Sequence, residues 1–405
     1  MRSGSMQGCE IGRMHGVGAA LLALYCGAAC STQAPMQASC WTTLPSAVQP
    51  TPRSLSWNLI GDAAIPAEQP SDPISVPAGD VAYRLSTAGC VQIQSLVDPI
   101  DPQGRAWVTP PATLSDYDLF CKSCPQRVSL GVQHGLYVLP SSDPQPMAAS
   151  TLTLRAALRD CGTLLPSQQA GQVRIEVAAR SQPRDDQSGI VYSELVITQG
   201  SVFFSSPDAV PATVQAAVDL VNTWLLPGKL SLRIVRARRL QADDPLRISR
   251  GDHSALFRLQ SAMHACDPQG QSPDDTWVPL VLAGCLSVLN TVTQQQSNPE
   301  GLTPGIPSGL PGTGAAHGVY IKGRGCDASS PQIDWTTESL ARILAHELGH
   351  YLGVYHSVEL DGSSDALYDT DADNIMYARP SSIDQPHFTT GQFRVMRQHP
   401  AIAWQ

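Results

Sequence analysis

The sequence predicts an α+β protein in two globular parts. An all-β, sandwich-like domain covers residues 73–186, and a domain of mixed twisted sheet and helices covers 187–405. Three observations lead there. Seven short alternating runs fall within 73–186 ("VAYRLST", "VQIQSLV", "RAWVTP", "VSLGV", "GLYVLP", "TLTLRAAL", "VRIEVAA"), and period-two alternation between turn residues is the mark of half-buried strands. From 187 on, strand-like runs alternate with helical ones, the pattern of a sheet layered with helices. The 32 glycines and 33 prolines favour short strands and long loops over a helical bundle.

Composition narrows the class. Apolar residues at 42% suffice for real cores, and charged residues at 15% exclude a disordered polyampholyte. A net charge of −9 with no long basic run argues against nucleic acid as a partner.

Taken in chain order, "MRSGSMQGCEIGRMHGVGAALLALYCGAAC" reads as an export signal. Arg2 and Arg13 precede an apolar stretch, 17–29, shorter than the roughly 20 residues of a membrane-spanning helix. Residues 1–29 are therefore assigned to a signal peptide. "GAAC" resembles the bacterial lipobox, with Gly27 where Leu is preferred, which makes Cys30 the candidate for lipidation. Ser31 after it implies, by resemblance to lipoprotein sorting, the outer membrane of a bacterial envelope. Cleavage near Ala29 and secretion is the alternative. Of eleven cysteines, Cys9 and Cys26 leave with the signal, and a lipidated Cys30 leaves eight, a number suited to disulfides. Residues 30–72, with Pro35, Pro45, Pro50, Pro52, Pro66 and Pro70 among polar residues, read as a tether. In the β domain "CKSC" (Cys121, Cys124) has metal-ligand spacing, but no second pair completes a site, so it reads as part of a disulfide framework.

The second domain opens with strand material, "IVYSELVITQGSVFF". A helix follows, with Val210, Val214, Val218, Val221 and Leu225 on one stripe and Pro227-Gly228 ending it. "LSLRIVRARRL" is a strand whose arginines are expected to face solvent. "SALFRLQSAMHAC" is a helix, "VPLVLAGCL" a buried strand, and "HGVYIKG" a short strand after the Gly/Pro-rich loop 301–316. Arg250-Gly251-Asp252 spells the integrin-binding tripeptide. Three residues recur too readily by chance, and Asp252 is read as a helix N-cap.

The chemistry sits in "ARILAHELGHYLGVYHSVELDG" (341–362). His346 and His350 are four apart, about 400° of helical rotation, so both imidazoles leave one face and can grip one ion. Leu340, Leu344, Leu348 and Leu352 form the stripe that would bury the helix. Glu347 is about 100° away, poorly placed as a ligand but well placed as a general base. Gly353 stands where the chain must leave the helix with φ > 0 and return His356 to the same ion. Three neutral imidazoles leave zinc one open position, where it activates water.

"HELGHYLGVYH" matches the metzincin zinc-peptidase signature at every fixed position. "DADNIMYARP" supplies Met376 for the Met-turn of that family. "DGSSDALYDT", "NIMY" and "HFTTGQFRVM" resemble the pappalysin branch, over about 187–405. The resemblance implies a metzincin-like catalytic domain with zinc helix and Met-turn. Its activity would be that of a zinc endopeptidase acting on protein or peptide substrates. Tyr377 directly follows Met376, whereas pappalysin-like turns carry Tyr one place later, at the position of Ala378. The branch's cysteines are absent, and Ser357 is shared with matrixins. Metzincins place an antiparallel edge strand before the zinc helix. Gly318, Val319, Tyr320 and Ile321 are therefore expected to bind an extended substrate through main-chain hydrogen bonds.

Asp361, Asp365, Asp369, Asp371 and Asp373 give a density of hard carboxylates that suggests calcium, as does the resemblance. An EF-hand is excluded by Asn374 in place of Gly and Pro380 in place of Glu, and a solvated acidic turn is the alternative. The leading reading is an exported, lipid-anchored zinc endopeptidase. A catalytically silent cell-surface binding lipoprotein and a latent enzyme, with 73–186 as prodomain before a cleavable "RSQPRDD", stand beside it.

Overall fold

The computed structural model describes residues 40–43, 56–65, 70–76, 82–87, 91–97, 106–108, 119–120, 127–130, 136–139, 150–158 and 171–178. From 186 to the end it describes all but 242–245, 250–253, 266–276, 291–293, 311–316, 327–332 and 366. The export segment with Cys30, Cys121 and Cys124, and Arg250-Gly251-Asp252 lie outside the described residues. Among the described residues no helix is long and apolar enough to cross a membrane.

The protein is α+β, built on a seven-stranded mixed sheet. Its strands are β1 (Cys40–Thr43), β2 (Gly189–Thr198), β3 (Leu230–Leu240), β4 (Val278–Ala283), β5 (Gly301–Leu302), β6 (Val319–Lys322) and β7 (Ile402–Trp404). The order is β1-β3-β2-β4-β6-β5, with β7 beside the start of β2. The central strands β3, β2, β4 and β6 are parallel, while β1, β5 and β7 join antiparallel. Parallel strands covered on both faces read as continuous apolar runs, and all of β4 and nine of the ten residues of β2 are buried.

Period-two alternation sends neighbouring residues to opposite cores. Leu195, Ile197, Leu280, Leu282, Val319 and Ile321 pack with helices α1 (Ala212–Leu225) and α3 (Thr337–Tyr351), through Val214, Val218, Leu340, Leu344 and Leu348. Val196, Val281 and Tyr320 face the other way, onto Leu256, Leu259 and Met263 of α2 (Ser254–Ala265). Each such side chain, fully buried, contributes about 1.5–3 kcal/mol. Helix α4 (Thr390–Arg397) closes the chain before β7.

The N-terminal part forms two antiparallel sheets. One holds Ile74–Val76, Ser150–Leu158, Val91–Val97 and Ala106–Val108. The other holds Trp57–Ile65, Gly171–Ala178, Ala82–Thr87, Leu136–Leu139, Arg127–Leu130 and Leu119–Phe120. All seven alternating runs named above supply strands to them. The sheets approach closely at Gly61, where a Cβ would lie 3.0 Å from Ile74. Ala82 is buried in the α1/α3 core and Trp57 packs against it, with the Arg84 guanidinium 4.7 Å over the indole.

Two expectations are corrected here. Residues 40–43 and 57–65, expected within a tether, are strands. Their partners, 237–240 and 171–178, lie more than a hundred residues away, and local composition does not report them. The arginines of β3 do not all face solvent: Arg236, Arg238 and Arg239 are buried. The buried Glu194 of β2 forms ion pairs with Arg236, whose Nε lies 2.8 Å from its Oε1, and with Arg238, whose Nη1 donates to the Met263 carbonyl. Arg239 donates to the carbonyls of Phe204, Ser206 and Asp208. Buried guanidiniums persist only with such charged or carbonyl partners.

Candidate metal centre

Helix α3 is set at both ends by local chemistry. At its start Thr336 and Ser339 form a reciprocal capping box, and Glu338 pairs with Arg342 one turn on. The expected leucine stripe, Leu340, Leu344, Leu348 and Leu352, is buried. So are His346, Glu347 and His350, which leaves the last three turns enclosed all round. At its end Val354 N–H donates to the Gly349 carbonyl and Gly353 N–H to that of His350, a Schellman turn. Gly353 has φ 100°, as expected, a region costly for any residue with a Cβ.

That turn delivers two things. The Val354 carbonyl arrives beneath His350 and accepts its Nδ1–H at 2.8 Å. His356 returns to the helix, so that three imidazoles converge. His346 Nδ1 faces the Ile375 carbonyl at 2.9 Å, and His356 Nδ1 faces Glu359 Oε2 at 2.8 Å. Each of these oxygens accepts, so each Nδ1 carries a hydrogen, and in the neutral ring that tautomer leaves the lone pair on Nε2. The His346 Nε2 lies 3.0 Å from that of His350 and 3.2 Å from that of His356. Burial, with His356 adding to it, pushes His346 down to about 3, which keeps it neutral.

Lone pairs aimed at one another at this distance repel unless a cation lies between them. Ligands of a tetrahedral zinc, bound at about 2.0–2.1 Å, stand about 3.3 Å apart, close to the observed spacing. The three histidines therefore fit a divalent transition metal. Among the described residues they are the one His/Cys/Asp/Glu group whose ligand atoms converge.

Met376 lies below the ligand helix in a turn closed by Tyr377 N–H donating to the Asn374 carbonyl. The close approach depends on Gly349, where a Cβ would lie 2.4 Å from the Met376 sulfur. The turn is held from outside by a buried amide pair, Asn374 with Gln392 of α4, bonded both ways at 3.0 and 2.9 Å. Asn374 Oδ1 also accepts Met376 N–H. Through Ile375 the same turn orients His346.

Glu347 has partners that sequence reasoning missed. The buried Thr303 hydroxyl lies 2.8 Å from both Glu347 Oε2 and its own carbonyl oxygen. Gly301 packs on the carboxylate, and a Cβ there would lie 2.5–2.8 Å from Cγ, Oε1 and Cδ.

Two further site expectations change. Gly318 has φ 115° and precedes β6, but β6 is not an edge: Val319–Lys322 pairs with β4 on one side and β5 on the other. Val319, Tyr320 and Ile321 are buried, so they are not available to a substrate strand. The edge is β5, only two residues long. The five aspartates do not converge. Asp369 accepts from Thr389 Oγ1 and Gly391 N–H at the start of α4, and Asp361 accepts from Ser363. Asp365 is buried, whereas Asp371 and Asp373 are exposed. Asp361 and Asp369 thus serve separate turns, and among the described residues the five carboxylates do not form one converging group.

No protein-family model and no curated protein matches the chain. Among solved structures, one described as a family two carbohydrate esterase from Cellvibrio japonicus aligns over 64% of this chain and 82% of its own, at 10% identity. Its TM-score is 0.10, too low to bear on fold or activity.

Proposed function

We propose that the protein is an exported zinc-dependent endopeptidase of the metzincin type. The observation that carries this reading is the convergence of three Nδ1-anchored imidazoles beside a carboxylate, Glu347, that is not one of them. Zinc would be held by Nε2 of His346, His350 and His356, where it supplies Lewis acidity and brings the pKa of water to about 7. Glu347 takes a proton from the attacking water at Oε1, while Oε2 keeps the Thr303 hydrogen bond. As the C–N bond breaks, Glu347 returns that proton to the leaving nitrogen. Strand β5 supports the reading from the other side. Glu300 and Leu302 turn their main-chain groups toward β6, so antiparallel alternation turns those of Gly301 outward, beside Glu347, where an extended peptide can add. The Cys285–Cys326 disulfide accords with an oxidising compartment.

The test is cleavage of a mixed peptide library, with and without chelator, mapped by mass spectrometry. Glu347→Ala should hold zinc near one per chain while cleavage falls by about 10²–10⁴-fold. His350→Ala should lose metal and activity together. Wild type that holds zinc but cleaves nothing across the library would favour the silent binding protein instead.

A further inference from the structure

The three ligands differ in what holds them. His346 and His350 give their Nδ1 hydrogens to main-chain carbonyls in the core. His356 gives its own to a carboxylate, Glu359 Oε2, and these two side chains are 25% and 21% exposed. The pair is not a helical neighbour contact, because residues 356–359 are not helical. A tight hairpin places Glu359. Val358 bridges Ser364, Glu359 N–H donates to the Ser363 carbonyl, and Gly362 N–H donates to the Glu359 carbonyl. The Asp361 carboxylate caps the same turn through Ser363 N–H and Oγ. The hairpin base is tied to the Met376 turn by Ser357 N–H to the Met376 carbonyl and by Ala378 N–H to the Val358 carbonyl. The fold thus pre-places the carboxylate on one edge of His356 while the opposite edge faces the other two ligands.

We propose that Glu359 is the positioning residue of the third ligand, and that it sets how tightly the three-histidine centre holds a divalent transition metal. The inference rests on the metal-centre reading. A carboxylate on Nδ1–H fixes the tautomer that leaves Nε2 as the ligand atom and fixes the ring plane. Three neutral imidazoles bring no charge to a dication, and Glu359 brings one negative charge a single ring away.

The experiment titrates Zn²⁺ into the metal-free full chain against a chromophoric chelator at neutral pH. It compares wild type, Glu359→Gln, Glu359→Ala and the α3 control Glu338→Ala. Glu359→Ala should bind zinc about 10–100-fold more weakly. Glu359→Gln, which keeps an acceptor oxygen without the charge, should lose less, and Glu338→Ala should match wild type. Unfolding midpoints of metal-free wild type and both Glu359 variants should agree, and the visible spectrum of the Co²⁺-loaded protein should change in Glu359→Ala. Zinc affinity in Glu359→Ala within about twofold of wild type would overturn the proposal. So would a weakened affinity matched by a lowered metal-free midpoint in both Glu359 variants, which marks a structural role. Wild type that takes up no zinc would remove this inference and the metal centre together. Wild type that binds zinc tightly but cleaves no peptide leaves the affinity comparison to decide this inference, and only the peptidase reading falls.

Discussion

Glu347 is oriented by a hydroxyl 44 residues away in the chain, and this single contact separates holding a carboxylate from merely having one. Thr303→Val keeps the shape of the side chain and removes the O–H. A hydrogen bond to a charged group contributes about 1.5–3 kcal/mol, so kcat should fall by about 10–100-fold. KM and zinc content should stay as in wild type, and Thr303→Ser should restore most of the rate. Unchanged kcat in Thr303→Val would show that Glu347 needs no such support. At this scale the sequence was legible only where spacing is local. His346, Glu347 and His350 declare themselves within one helical turn, and Gly353 announces its positive φ by its place three residues after His350. Thr303 sits in a Gly/Pro-rich stretch that reads as a connection, and nothing in its neighbours points to Glu347. The aspartates of 361–373 show the converse: density in sequence suggested a cage, but Asp361 and Asp369 answer to separate N–H and hydroxyl groups, and the five do not form one converging group.

The ligand helix works as an element because its two ends have different tasks. Thr336 only starts it, ten residues before the first ligand, whereas the Schellman turn at Gly353 sets both the Val354 carbonyl and the return of His356. Thr336→Ala should therefore cost about 1 kcal/mol in unfolding free energy and leave zinc affinity alone. Gly353→Ala, forced to hold φ 100°, should cost about 1–3 kcal/mol and weaken zinc binding as well. Chemical denaturation of the metal-free proteins, alongside zinc titration, checks both, and equal zinc affinities in the two variants would deny the turn its positioning role. Elements with strong internal periodicity were readable from sequence: the seven alternating runs, the α1 stripe and the leucines of α3. Strand β5 was not, because two residues carry no period. Its invisibility made β6 look like an edge, when β6 has a neighbour on each side.

At the scale of the whole molecule the sheet order and the disulfide are what sequence could not supply, since both join distant segments. An even set of cysteines was legible; their pairing was not. Cys285, just past β4, is bonded to Cys326, just past β6, a separation of 41 residues. The closed loop contains β5 and β6, and with them Gly301 and Thr303, the two residues that touch the Glu347 carboxylate from this side. The three histidines, Glu359 and Met376 all lie beyond it. Chain-entropy reasoning puts the stabilisation from closing such a loop at about 4 kcal/mol as an upper figure. The arrangement separates two properties that one damaged active site would lose together. The double variant Cys285→Ser, Cys326→Ser should unfold at clearly lower denaturant and should lose peptide cleavage, because Gly301 and Thr303 no longer stay fixed against the carboxylate. Its zinc affinity, set by α3, the hairpin and the Met376 turn, should match wild type. Measuring unfolding, zinc affinity and cleavage on the same preparation decides the matter. If zinc affinity falls in step with stability, the disulfide-closed loop and the metal centre are one cooperative unit, and the division of labour drawn between them is wrong.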